Sequence, residues 1–357
     1  MQQAVETNRF QQKLFRNKGA TLGLCIIFLS ICIAITCYQL APDASPFGNR
    51  MIPAIGSKSP GFTMRFLLIK QSGNKEADIL TKWVSGQKDT VQYLPIQAYQ
   101  QKGDTIYYEQ YIDEGLTKAG SIAMTQLAVP DAVTQRFYLG TDKFGRDMLS
   151  RLLIGTRVSL SVGLIAVLIS LTIGISLGAM AGYFRGWIDE LIMWLINVLW
   201  SIPTLLLVFA ITLLLGKGFW QVFMAVGLSM WVNVARLVRG QVMSVRELEY
   251  IEATRVLGFG HTRTIIKHIL PNIMGPVLVL AASNFASAIV LEAGLSFLGV
   301  GVQPPQPSWG LMIKENYNFI ITNNPSLALA PGIAIMLLVL SFNLLGNGLR
   351  DAFAVKD

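Results

Sequence analysis

The chain has 357 residues, of which 52% are hydrophobic and only 14% are charged. Soluble globular domains carry about 25% charged residues, so this composition excludes an ordinary soluble protein and predicts a protein embedded in a lipid bilayer. The net charge of +8 does not indicate nucleic-acid binding, because the basic residues lie in short segments between apolar runs rather than on one polar domain with stacking aromatic residues.

Six apolar segments are long enough to cross a bilayer as helices, which takes about 20 residues. The first lies within a charge-free run of 24 residues, Gly19 to Pro42, which is longer than the about 7–15 apolar residues of a signal peptide, so an uncleaved span is predicted. Its three cysteines, Cys25, Cys32 and Cys37, are interpreted as packing residues. Pro203 is predicted to kink the third span without breaking it. The spans are predicted at residues 20–40, 158–180, 191–215, 218–235, 273–291 and 327–345.

Basic residues in the short flanks predict the orientation, because they stay on the cytoplasmic side. The opposite side has only Lys217 and Lys314 in its short connections. Residues 1–19 and 350–357 are therefore predicted to be cytoplasmic, and residues 41–157 to lie outside the membrane. The flanking basic residues on the cytoplasmic side are Arg9, Lys13, Arg16, Lys18, Arg236, Arg239, Arg246, Arg255, Arg263, Lys267, Arg350 and Lys356.

The long external segment alternates polar and apolar residues at 64–69, 91–99 and 105–111, which is typical of strands, and residues 101–104 are typical of a hairpin turn. A small, partly β domain is predicted there. In the second span Gly174, Gly178 and Gly182 recur every four residues. This spacing favours close helix packing over a ligand site.

Motifs of catalysis are absent from the sequence. Gly216, Lys217 and Gly218 lack the remainder of a phosphate-binding loop, and His261 and His268 are too far apart for a zinc-protease motif. The spans have no internal charged residue except Glu292, at the end of the fifth, so a proton-coupled pump is not indicated. We therefore expect a non-catalytic chain without a metal, which takes any energy for active transport from another subunit.

Residues 246–271 are too charged to span and carry the main functional signal. Helix-forming residues run to Leu257, Gly258 and Gly260 permit a reversal, and Thr262 can cap a second short helix before Pro271 begins the next span. The pattern predicts a helix–turn–helix on the cytoplasmic face. Its apolar contact surface is Ala253, Val256, Leu257 and Phe259. An ordinary interfacial connector is the alternative.

This loop resembles the E-A-A-x-x-x-G-…-I-x-L-P loop of ABC-importer permeases, which forms the coupling helix that docks on the ATPase. Thr254 replaces the second alanine and His268 the isoleucine. The resemblance implies a coupling role for Glu252, Ala253, Thr254, Gly258, Phe259, Leu270 and Pro271.

Further stretches resemble the "C" permease of the oligopeptide/dipeptide type. They are residues 139–151 (L-G-T-D-K-F-G-R-D-M-L-S-R), 181–186 (A-G-Y-F-R-G), 295–301 (L-S-F-L-G-V-G) with Pro304 to Gly310, and 348–351 (G-L-R-D). Asn347 stands where that family usually has Asp. The resemblance covers residues 9–357 apart from the insertion at about 48–129, which is longer than usual.

The resemblance implies an all-α membrane protein of six transmembrane helices, like permeases of type I ABC importers, with a small, partly β extracytoplasmic insertion. Residues 158–349 would form the five-helix core. The implied partners are a second homologous permease, two cytoplasmic ATPases that bind ATP and Mg, an extracytoplasmic solute-binding protein, a peptide substrate and the lipid bilayer. This chain would bind no cofactor and no nucleic acid, and would lie in a bacterial cytoplasmic (inner) membrane.

One face of the fifth span suggests a translocation path. Asn284, Ala288 and Glu292 recur at four-residue spacing beside Ser283 and Ser287. We expect Asn284, Ser287 and Glu292 to face the path, where a carboxylate could attract a peptide's amino terminus. The alternative is that Glu292 is solvated at the outer interface.

Three functional alternatives stay open on the sequence. The same type of importer could carry nickel chelates, microcins or another small solute. An ATP-independent secondary transporter, or a non-transporting scaffold or sensor, would belong to a different class; the coupling-type loop and the absence of internal charges argue against a secondary transporter.

Overall fold

The computed structural model describes residues 12–71, 78–216, 218–321 and 324–353, so the predicted flanking residues Arg9, Lys217 and Lys356 lie outside the described residues. The helices are α1 (Lys18–Leu40), α2 (Ile79–Ser85), α3 (Met148–Phe184), α4 (Gly186–Trp200), α5 (Thr204–Leu215), α6 (Phe219–Arg246), α7 (Glu249–Val256), α8 (His261–Leu298), α9 (Trp309–Asn316) and α10 (Ser326–Phe353). The strands are β1 (Phe62–Lys70), β2 (Val91–Lys102), β3 (Thr105–Asp113), β4 (Leu116–Ala123) and β5 (Val133–Phe137).

The predicted spans correspond to helices of the described chain. Five of these, α1, α3, α6, α8 and α10, are each long and apolar enough to cross a membrane. The helices extend past the apolar runs: α3 begins at Met148 and carries Arg151 and Arg157 before the predicted span. A helix needs no apolar residue where it leaves the lipid, so the apolar run underestimates its length.

The third predicted span differs from the prediction of a kinked but unbroken helix. Its residues form two helices, α4 and α5, which meet at 94° and together make a broken span or a re-entrant pair. The break lies directly before Thr204, at Pro203. Proline donates no backbone hydrogen bond and disfavours helical geometry in the preceding residue, here Ile202.

The chain divides into two compact units. The first, called the bundle unit, contains the residues up to Ile31, Ser159–Gln303 and the residues from Ala334 onward. The second, called the sheet unit, contains Cys32–Val158 and Pro304–Ile333.

The glycine ridge of α3 packs against α6 in the bundle unit, as its spacing predicts. A Cβ atom added to Gly174 would lie 2.5 Å from the Cβ of Val234, and one added to Gly182 would lie 2.6 Å from the carbonyl oxygen of Arg239. Carbon atoms in contact normally lie about 3.5–4.0 Å apart. The absence of side chains on the ridge therefore lets the two helix backbones approach closely.

The sheet unit contains a five-stranded antiparallel sheet in the order β4-β3-β2-β1-β5. The three predicted strands are present, and the predicted turn joins β2 to β3 with Gly103 at a φ of +62°. The side chains of Phe66, Leu67, Ile96 and Ile106 are almost fully buried. Alternation in the sequence was too weak to indicate β4 and β5.

Candidate functional site

Helix α7 is amphipathic and follows α6 almost directly. Ile251 and Thr254 are buried on its inner side, where Ile251 packs with residues of α6 and α8. Val256 and Leu257 lie at the other side and are 88% and 70% exposed. Glu252 and Ala253 are also exposed. The helix thus presents an uncovered apolar tip next to an acidic side chain.

The turn after α7 is a Schellman motif. Gly258 has a φ of +74°, and the N–H of Phe259 donates to the carbonyl of Thr254 at 3.0 Å. This is the bond expected between the second residue after the C-cap, here Leu257, and the third residue from the end of the helix. A residue with a side chain is strained at this φ, so glycine is the residue that suits position 258.

Phe259 contacts two other residues of the same loop. Its ring stacks on His268 with the centroids 5.7 Å apart, and the guanidinium of Arg263 lies 4.2 Å from the ring centroid. The sequence placed Phe259 on the outer contact surface. In the structure its side chain is half-buried, and its place in that surface stays a prediction.

The departure from the family motif at Thr254 has a local explanation. The hydroxyl of Thr254 donates to the carbonyl of Ile251 at 2.7 Å and lies 3.4 Å from the hydroxyl of Thr264. A buried hydroxyl is tolerated when it is hydrogen-bonded. Threonine can therefore occupy a position where alanine is usual.

The second helix of the loop is not separate, as predicted, but is the first part of α8. It begins at His261 with Gly260 at the N-cap, and Thr262 forms no capping hydrogen bond. A π-helical turn at Ile265–Ile269 precedes Leu270 and Pro271, and the helix continues to Leu298. A proline ring clashes with the carbonyl four residues earlier in a regular α-helix, and the wider π turn accommodates it.

Two contacts that the sequence did not predict connect the loop to α3. The hydroxyl of Tyr183 lies 2.9 Å from Nδ1 of His261, and Arg185 donates to Glu247 at 2.6 Å. Tyr183, at the end of α3, and Arg185, directly after it, both belong to the A-G-Y-F-R-G stretch. That motif therefore holds the end of α3 against the loop.

Two of the three residues predicted for the path lie at one cavity. Asn284 and Ser287 line a cavity of about 390 Å³ in the bundle unit, together with polar side chains of Ser229, Asn233 and Asn343. These residues come from α6, α8 and α10. Polar side chains converging on a cavity between helices are typical of a ligand site.

Glu292 is not among the described residues that line this cavity. Its side chain is 1% exposed and accepts a hydrogen bond from the hydroxyl of Ser296 at 2.6 Å. The N–H of Val302 donates to the same hydroxyl at 3.1 Å. In this chain Glu292 therefore braces the turn after α8, and the solvated-interface alternative does not fit its burial.

The T-D-K-F-G-R-D stretch forms a buried ionic cluster in the sheet unit. One carboxylate oxygen of Asp142 accepts hydrogen bonds from the backbone N–H groups of Phe144 and Arg146. The other oxygen accepts a hydrogen bond from Nε of Arg146 at 2.6 Å. Glu315 of α9 accepts from Arg146 at 2.8 Å and from Arg151 at 3.0 Å. Both arginines are at most 2% exposed. The motif thus joins the loop before α3 to α9. Nothing in the sequence indicates Glu315 as the partner of these arginines.

Asp147 caps the first turn of α3. Its carboxylate accepts the backbone N–H of Ser150 at 2.8 Å as well as the hydroxyl of the same residue. Burial raises the pKa of Asp147, while these hydrogen bonds act in the opposite direction. The neighbouring carboxylate of Asp43 adds to the upward shift, because two like charges disfavour ionisation of either group.

The comparisons with known proteins point to transport. Residues 174–355 match the family model "Binding-protein-dependent transport system inner membrane component". The chain is 42% identical over 219 residues to a glutathione transport system permease protein (GsiD) of Pectobacterium atrosepticum, covering 61% of this chain and 72% of the relative. It is also 42% identical over 222 residues to a dipeptide transport system permease protein (DppC) of Alkalihalophilus pseudofirmus, with the same coverage.

A solved structure of the MetNI methionine ABC transporter in an inward-facing conformation has a TM-score of 0.46 and 18% identity, covering 55% of this chain and 93% of that chain. The matched family model extends over half of the sequence, and the two relatives pair with most of their own length. The chain therefore belongs to the family of binding-protein-dependent transport system inner membrane components, the permease subunits of ABC importers.

Proposed function

We propose that the chain is one of two permeases in an ATP-driven importer of peptides, including small ones such as dipeptides or glutathione. The observation that carries this proposal is the 42% identity to both a glutathione and a dipeptide permease. The shared cargo chemistry of these two relatives is the peptide bond. The chain itself is proposed to be non-catalytic, with ATP and Mg bound by two ATPase partners.

Coupling to the ATPases is assigned to α7. Burying a valine or leucine side chain that is now exposed contributes about 1.5–3 kcal/mol, so a partner groove that covers Val256 and Leu257 would bind this tip. Such a groove is one of the recurring ways in which proteins recognise an amphipathic helix. Glu252 beside the tip would add a charge contact that fixes orientation.

Packing contacts connect α7 to the helices that line the cavity. Ile251 packs in one core cluster with Val242 of α6 and Ile273 of α8. The same two helices carry Asn233, Asn284 and Ser287 at the cavity. Since packed helices move as rigid elements, a displacement of α7 by the ATPases would reach the cavity lining.

The path is proposed to pass along Asn284 and Ser287. Amide and hydroxyl groups suit the backbone of a peptide, because they both donate and accept hydrogen bonds. A second permease would complete the path, and a solute-binding protein would deliver the cargo from outside. In this proposal both termini face the cytoplasm. A direct contact of Glu292 with the cargo stays a prediction.

Reconstitution tests the proposal. The complete complex is placed in liposomes, and uptake of peptides of two to six residues is measured with the binding protein outside and ATP inside. Uptake that needs both the binding protein and hydrolysable ATP is expected. Equal uptake with a non-hydrolysable ATP analogue would support a secondary transporter, and uptake of a nickel chelate but no peptide would assign a different cargo.

A further inference from the structure

A second cavity in the bundle unit is electropositive. It measures about 700 Å³ and is lined mainly by apolar residues of α6, α8 and α10, together with Asn233, Ser283 and two arginines, Arg236 and Arg350. No acidic side chain is among the described residues that line it. Asn233 lines this cavity and also the one at Asn284 and Ser287, so the two cavities adjoin at the same residue of α6.

Arg236 lies one helical turn after Asn233 and is held by neutral groups. Its Nη2 donates to the amide oxygen of Asn197 at 2.9 Å, and its guanidinium lies 3.7 Å from the ring centroid of Trp200. Trp200 in turn donates to the amide oxygen of Asn233 at 3.0 Å. Asn197 and Trp200, the latter held by Asn233, fix the guanidinium beside the junction of the cavities, and none of the three carries a negative charge.

The neighbouring arginine provides a contrast within the same helix. Arg239 donates through Nη2 to Asp189 at 2.6 Å and through Nε to the other oxygen of that carboxylate. Arg236 forms no ion pair with any residue that the structure describes, and its Nε is buried without a hydrogen-bond partner there. Arg239 is thus paired with a carboxylate, whereas Arg236 has no acidic partner and one unused donor among the described residues.

Arg236 directly follows the predicted span at 218–235 on the same helix, and charged residues of such helices that face a water-filled cavity commonly mark substrate pathways. A guanidinium binds a carboxylate through two parallel hydrogen bonds. Every unmodified peptide carries a carboxylate at its C-terminus. We propose that Arg236 binds the carboxylate of the translocated peptide where it passes from the cavity at Asn284 and Ser287 into the larger cavity. The identity of the anion rests on the proposed function.

The first experiment measures the charge of the cavity without any transport. Ser283, which lines the cavity, is replaced by cysteine in a chain whose three natural cysteines have been replaced. The purified complex is then labelled with an anionic or a cationic methanethiosulfonate. With Arg236 present we expect faster reaction with the anionic reagent. Arg236→Gln should lower the ratio of the two rates by about tenfold, the order expected when one unit charge is removed at a distance of several ångströms.

The charge-preserving variant Arg236→Lys should keep most of that ratio, which separates charge from packing. Arg185→Gln, which removes an arginine paired with Glu247 away from this cavity, should leave the ratio unchanged. An equal ratio with and without Arg236, or no labelling by either reagent, would overturn the proposal.

The second experiment identifies the anion. A peptide with a free C-terminal carboxylate, delivered by the binding protein, should slow labelling of Ser283→Cys at least threefold more than the same peptide as its C-terminal amide. Arg236→Gln should remove the difference. Equal protection by acid and amide would contradict a carboxylate contact. If the preference for the anionic reagent over the cationic one is lost only when anionic phospholipid is added, the site binds a lipid phosphate instead. If the wild-type complex imports no peptide, the proposed function fails, whereas the reagent ratio still reports on Arg236.

Discussion

The packing of α3 against α6 yields a prediction whose size follows from the structure. In the substitution Gly174→Ala, the new Cβ would lie 2.5 Å from the Cβ of Val234, 2.7 Å from its Cγ1 and 2.8 Å from the carbonyl oxygen of Trp231. Relief of these contacts requires a shift of about 1 Å, since carbon atoms pack at about 3.5–4.0 Å. One of the opposing atoms belongs to the backbone, so a change of side-chain rotamer alone is not enough.

Overpacking of this kind costs about 1–3 kcal/mol, whereas alanine stabilises a helix by about 0.5–1 kcal/mol relative to glycine. The packing term is the larger, so Gly174→Ala should destabilise the protein. Gly240 of α6 is the matched control, because a Cβ there meets no atom within 4 Å. Gly240→Ala should leave stability unchanged or raise it slightly.

The assay is thermal unfolding of the purified complex in detergent, followed by tryptophan fluorescence and by loss of the monodisperse peak on size exclusion. The unfolding midpoint should fall by a few degrees for Gly174→Ala and further for Gly174→Val, and it should not fall for Gly240→Ala. Equal midpoints for Gly174→Ala and the wild type would refute the close approach of the two helices.

Three further predictions concern the sheet unit and the orientation of the chain. Glu315→Ala should destabilise the protein by about 3–5 kcal/mol, because it leaves two buried arginines without that carboxylate. The control Glu114→Ala removes an 84% exposed ion-pair partner and should change stability by less than about 1 kcal/mol. A similar loss of stability in both variants would contradict the buried cluster. A cysteine at Gly103 should react with a membrane-impermeant maleimide in intact cells and one at Ser244 should not, and the reverse pattern would invert the orientation. Burial raises the pKa of Asp147, so folding favours its protonated form, and the stability that this group contributes is lost as the pH rises through the folded-state pKa. Asp147→Asn, which keeps a capping oxygen, should therefore be more stable than the wild type at pH 7.5, and the difference should narrow toward pH 4. A difference in stability that stays constant with pH would contradict the raised pKa.

The parts of the fold that the sequence predicted are those governed by local composition. Lipid requires long apolar helices, so the spans were readable from hydropathy, and the four-residue spacing of Gly174, Gly178 and Gly182 predicted a ridge because that spacing repeats on one helix face. The turn at Gly258 was also predictable from the local sequence, because glycine readily adopts a positive φ.

Features that depend on contacts formed only in the folded chain could not be predicted from the sequence. Glu315 contacts Arg146 across 169 positions, and nothing near either residue indicates the other. The helix face of Glu292 suggested the path but did not show that its carboxylate is buried against Ser296 and the turn after the helix; a contact with the cargo stays a prediction. The sharp break at Pro203 depends on how α4 and α5 pack, which proline alone does not determine.

The central claim is that α7 transmits the action of the ATPases to the permease. Val256 is 88% exposed, so Val256→Asp should leave folding and membrane insertion intact, and Ile79→Asp, at an apolar residue of α2 that is 81% exposed, is the matched control. Glu252→Lys and Gly258→Pro change the charge and the hinge of the same loop.

The decisive measurement is ATP hydrolysis by the reconstituted complex, with and without peptide-loaded binding protein, together with peptide uptake in the same liposomes. We expect Val256→Asp, Glu252→Lys and Gly258→Pro each to lose most of the stimulated hydrolysis and the uptake, and Ile79→Asp to retain both. Wild-type stimulation and uptake in all three loop variants would contradict the assignment of α7 as the coupling helix.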